Sequence, residues 1–62
     1  MSADFVVAEE TPGNWHWRHA FFHDAGTLAR FGLTDAPHPT FDAARLAGES
    51  AMRQIGYELM RP

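Results

Sequence analysis

Three histidines and an arginine share one nine-residue run with both tryptophans and two of the five phenylalanines: Trp15-His16-Trp17-Arg18-His19-Ala20-Phe21-Phe22-His23. On a helix, His16, His19 and His23 would align at spacings of three and four and could hold a zinc ion, with Asp24 as the nearest fourth ligand. On a strand the same residues alternate, so His16 and His19 face opposite ways and cannot share an ion. Large apolar residues at 15, 17, 21 and 22 would surround every side of a helix, whereas period two places most of them on one face. The strand reading is therefore adopted, and no metal site is expected.

Covalent and acid–base catalysis find little material. Cysteine is absent, and neither serine, Ser2 nor Ser50, lies in a nucleophile-type turn. His19 and Asp24 could form an acid–base pair, but so short a chain lacks the concave pocket that substrates normally occupy. The glycines are dispersed and form no phosphate-cradling loop. A non-enzymatic protein without catalytic residues or cofactor is expected.

Sixty-two residues allow one domain, 1–62, with one small core. Such a chain buries only about 60% of its unfolded surface, and without disulfides it is best stabilised by an oligomer or a larger partner. A hydrophobic share of 45% is too high for the disordered class. The formal charge is -3, and all five basic residues are arginines. That balance disfavours unspecific binding to nucleic acid or anionic membrane, which draws affinity from cationic charge. No run approaches the roughly 18 apolar residues of a membrane span, and Met1-Ser2-Ala3-Asp4 opens no signal peptide. The expected location is the cytoplasm, with no membrane contact.

The elements that must position the aromatic run follow from turn chemistry and periodicity. A β-branched run predicts a first strand over about 4–9, and Thr11-Pro12-Gly13-Asn14 reads as a turn. The second strand spans about 15–22. His23-Asp24-Ala25-Gly26 forms a hairpin turn, and a third strand runs over about 27–33. After the proline-stiffened 35–39 loop, Thr40 is a helix N-cap and Asp42 complements the helix dipole. The helix extends over about 41–55, with Ala44, Ala47, Gly48, Ala51, Met52 and Ile55 on its buried face. Asp42, Arg45, Glu49 and Arg53 form its charged face. Gly56 is expected to end it, leaving Tyr57–Met60 as a short fourth strand or a docking tail. The fold class is α+β: a three-stranded antiparallel meander packed on one C-terminal helix.

Alternation then divides the sheet. Trp15, Trp17, His19 and Phe21 face the helix, and Ala29, Phe31 and Leu33 are expected to join them. His16, Arg18, Phe22, Leu28 and Arg30 are expected on the open face, with acids at 9, 10, 24 and 35 at the rim. Scattered surface hydrophobes are one account of Phe22 and Leu28; a contiguous recognition surface anchored by Arg18 is the account preferred. The expected function is that of an adaptor or inhibitor acting on a protein partner or as a homodimer. Small acidic phage regulators, anti-CRISPR-type inhibitors among them, belong to this general kind. The alternatives are a DNA reader using the sheet and a histidine-based metal-binding protein.

Two resemblances attach to this pattern. Trp15-x-Trp17-Arg18, Arg30-Phe31-Gly32 and Thr40-Phe41-Asp42-Ala43-Ala44-x-x-Ala47 resemble the three-stranded DNA-binding domains of the integrase arm-binding and plant ethylene-response-factor class. That resemblance implies Arg18 and Arg30 as major-groove readers. Phe5-Val6-Val7, Gly13-x-Trp15-x-Trp17-Arg18, Gly26 and the alanines at 44, 47 and 51 resemble the YegP-like family of small sheet-and-helix proteins. That likeness implies the architecture and pairing through strands.

Overall fold

A computed structural model describes residues 1–34 and 36–61. These form strands β1 (Ser2–Thr11), β2 (Asn14–Phe22) and β3 (Leu28–Leu33), then helix α1 (Phe41–Met60). The strands make an antiparallel sheet in the order β1-β2-β3, with the aromatic run on its central strand. This is the βββα architecture expected from the sequence. Gly13 and Gly26 take the positive φ values, 78° and 92°, that their two turns require.

Helix α1 begins as its residues dictate. The Thr40 hydroxyl accepts a hydrogen bond from the Ala43 amide at 3.1 Å, satisfying one of the orphan donors of the first turn. Asp42 and Glu49 flank Arg45, whose guanidinium lies 3.7 Å and 3.0 Å from their carboxylates. The helix lies over β1 and β2. Ala44 and Gly48 are its buried residues, and this smallness lets the helix axis come down onto the rings of Phe5 and Trp17. At the N-terminal end, Trp15 meets Phe41 edge-on with centroids 5.7 Å apart. Paired backbone bonds of 2.8 Å between Trp15 and His38 fasten the incoming loop to β2. Phe21 is buried at the other end of the row, where a ring of its size contributes about 1.5–3 kcal/mol.

Two expectations are corrected. Gly56 does not end the helix, and Tyr57–Met60 form its last turn rather than a fourth strand or tail. Leu59 continues the half-buried stripe of Met52 and Ile55, and Glu58 reaches Arg30 at 3.6 Å. Those contacts offset the roughly 1 kcal/mol that a mid-helix glycine costs. The second correction concerns β3. Phe21 pairs with Arg30 but Phe22 pairs with Leu28, so Ala29 has no opposite number. This bulge reverses the alternation of every residue beyond it. Arg30 therefore lies on the helix side, paired with Glu58, while Phe31 and Leu33 stand on the open face instead of in the core.

The glycines give an internal test. A Cβ at Gly48 would stand 2.9 Å from Trp17 Cγ and overlap Phe5, and one at Gly32 would stand 2.5 Å from His19 Cε1. At Gly56 the nearest atom is Phe21 Cε1 at 3.8 Å, an ordinary contact. Gly48→Ala and Gly32→Ala are expected to destabilise by about 1–3 kcal/mol through overpacking. Gly56→Ala should stabilise by about 0.5–1 kcal/mol, since it adds helix propensity without a clash. Urea denaturation midpoints of the three variants check the signs.

Candidate interaction surface

The central strand presents two chemically different sides. Toward the helix it carries Trp15, Trp17, His19 and Phe21, as period two requires. Toward the open side it carries His16, Arg18, Ala20 and Phe22. Cross-strand pairing completes the open side row by row: Val6–Arg18–Leu33, then Asp4–Ala20–Phe31, then Ser2–Phe22–Leu28. Helix α1 lies on the opposite side, so this face has no cover among the described residues.

Four large apolar side chains on it are about half exposed: Val6 at 41%, Leu28 at 58%, Phe31 at 53% and Leu33 at 54%. Val6, Ala8, Phe31 and Leu33 wall a shallow depression of about 460 Å³, with Arg18, His16 and Glu10 as its polar lining. A second, shallower hollow adjoins it beside Asp4, Ala20 and Phe31. Arg18 has no ion-pair partner among the described residues, whereas Arg30 is held by Glu58 and Arg45 by Asp42 and Glu49. A cation ringed by aliphatic and aromatic carbon suits a partner that brings an apolar anchor next to a carboxylate.

Of the five residues expected at the surface, His16, Arg18, Phe22 and Leu28 share the open face. His16 and Arg18 line the main depression, and Phe22 pairs with Leu28 at the far end. Arg30 is absent from the face because of the bulge. Of the rim acids, Glu10 lines the depression, while Glu9 accepts from the Gly13 amide at 3.0 Å and caps the turn. Asp24 meets the N-terminal amine, and the expectation for Asp35 lies outside the described residues. Sequence reasoning missed Phe31, Leu33 and Asp4. The available signal was Gly32: a glycine inside a strand marks a close approach. Seating it beneath a ring on the helix side sends both of its neighbours outward.

The three histidines of the run occupy three environments. His16 lines the open face, His23 sits exposed in the β2–β3 turn, and His19 is buried at 2% exposure on the helix side. The described residues contain no cluster of three or more side chains able to hold a metal ion. The His19 ring stacks on Trp17, with centroids 5.1 Å apart and planes 16° from parallel, and meets Phe21 edge-on at 5.6 Å. Gly32 leaves the space its edge fills. Neither ring nitrogen has a hydrogen-bond partner. Burial holds its pKa below the ordinary imidazole range, offset in part by a contact with its own backbone.

No protein-family model, curated protein or solved structure matches this chain.

His19 makes stability depend on pH with a definite sign. The unfolded chain binds a proton near pH 6.5 that the folded chain resists, so the contribution of the neutral ring is whole above that pH. It declines as pH falls below about 6.5 toward the depressed folded value. His19→Leu removes this dependence along with two unpaired nitrogens. Urea midpoints measured from pH 7.5 to 5 should fall more steeply for the natural protein than for His19→Leu. Parallel curves would show that the ring is not held neutral.

Proposed function

We propose that this protein is a small non-enzymatic binding protein, of the adaptor or inhibitor kind, that acts through its open sheet face on a macromolecular partner. The observation that carries the reading is the composition of that face. Arg18 stands without an acidic partner among the described residues, inside a half-exposed apolar ring of Val6, Phe31 and Leu33. Small monomers seldom leave so continuous an apolar surface in water, and rings of this kind around one charged anchor are how protein interfaces concentrate binding energy.

A DNA-reading role for the sheet draws less support from the arrangement. It calls for several cations on one face, and Arg30 is engaged by Glu58 on the other. Asp4 and Glu10 flank Arg18 instead, and they would repel phosphate. The metal-binding alternative loses its shared geometry, because His16 and His19 project from opposite sides of β2.

Photo-crosslinking in the native host tests the reading. Benzoylphenylalanine in place of Phe31 should give discrete adducts, and Arg18→Glu in the same chain should reduce their yield. The same probe at Arg53, exposed on the helix, serves as the control. Equal adducts from both positions, or adducts from Arg53 alone, would refute a role for the sheet face.

A further inference from the structure

The open face carries both signs of charge in adjacent rows, and that arrangement complements itself. Arg18 is the centre of one row, Val6–Arg18–Leu33, and Asp4 the end of the next, Asp4–Ala20–Phe31. Neither charge is paired among the described residues. We infer that the partner on this face is a second copy of the chain, docked sheet to sheet; the inference rests on the binding role just given and names its occupant.

The geometry selects one arrangement. A two-fold axis parallel to the strands would place Arg18 directly over Arg18 of the second copy, setting two like charges together. An axis crossing the strands between the two rows lays each row over the other row of the second copy. Arg18 then stands above the small Ala20 of the second copy and next to its Asp4, and Leu33 covers its Phe31. The symmetry repeats each contact, giving two ion pairs flanked by apolar contacts. Sheets stacked about 10 Å apart with a slight rotation accommodate this interdigitation.

Area and stability agree with that occupant. Three strands spaced about 4.8 Å apart, with up to ten residues rising about 3.3 Å each, give a footprint of about 400 Å² per copy in projection. Over two copies, and with the relief of the side chains, the contact reaches the lower edge of specific interfaces, about 1,000–1,200 Å² in total. A weak, concentration-dependent dimer follows. The accessible surface of the single chain is 4431 Å², above the roughly 4,000 Å² usual for its mass. Among the described residues, Phe21 and Ala44 make up the buried apolar core. A second sheet would give this cysteine-free chain a second core.

Sedimentation velocity from about 1 µM to 1 mM, covering the range of weak association, tests the inference. The mass should rise from 7.0 kDa toward twice that value. Leu33→Glu, at an exposed position, should weaken the dimer at least about tenfold. Arg18→Asp and Asp4→Arg should each weaken it, and the two together should restore it. Circular dichroism confirms that each variant keeps its helix. A dimer indifferent to Leu33→Glu, or charge exchange without rescue, would overturn the proposed contact. A chain that stays monomeric while the Phe31 probe still captures other proteins overturns the second copy alone. Monomer throughout, with no adducts from Phe31, overturns the binding role as well.

Discussion

The molecule depends on one close approach: a helix stripe reduced to alanine and glycine, laid across a row of large rings on the central strand. Phe5 and Trp17 occupy the space that a side chain at position 48 would fill, and Ala44 is wholly enclosed beside them. Bulk on the sheet and smallness on the helix are two halves of one fit. Because the interior is close-packed, neither half can be enlarged without displacing the other. This fit commits one side of the sheet to the helix and leaves the other side to its own chemistry.

The same constraint accounts for His19. A polar ring without partners ordinarily costs about 1–3 kcal/mol when buried. Here it lies in line with Trp17 and Phe21, and the glycine opposite leaves room for its edge. Aromatic pairs of this geometry return about 0.5–1.5 kcal/mol each. The imidazole therefore behaves as a slim aromatic filler in its neutral form. Its neighbour His16, three residues earlier in the chain, meets water and the apolar depression instead.

Much of this was legible in the residues, and the failures are instructive. Period two in the aromatic run, glycines at both turns and the Thr40 cap each reflect local chemistry, and each element appears where that chemistry places it. The partition of β2 was equally readable, so His16, Arg18 and Phe22 were assigned to the correct side. Two features were not local. Gly56 reads as a stop by propensity, yet the stripe through Leu59 and the Arg30–Glu58 pair carry the helix onward. The phase of β3 depends on its register against β2, and its one mark in the sequence is Gly32, whose meaning needs the His19 ring packed against it. Its effect fell on Arg30, Phe31 and Leu33, the residues that decide whether the outer surface reads as cationic or as apolar.

Ala29 thus acts as a phase shifter for the third strand. Were the strand paired without the bulge, the unchanged sequence would set Ala29 opposite Phe21 and Arg30 opposite Ala20, swinging the guanidinium outward while Phe31 and Leu33 turned beneath the sheet. A greasy margin would become a charged one with every amino acid retained. In a fold this thin, a one-residue slip beside a turn can recast the chemistry of an entire flank, a far larger change than any single side-chain replacement there would bring.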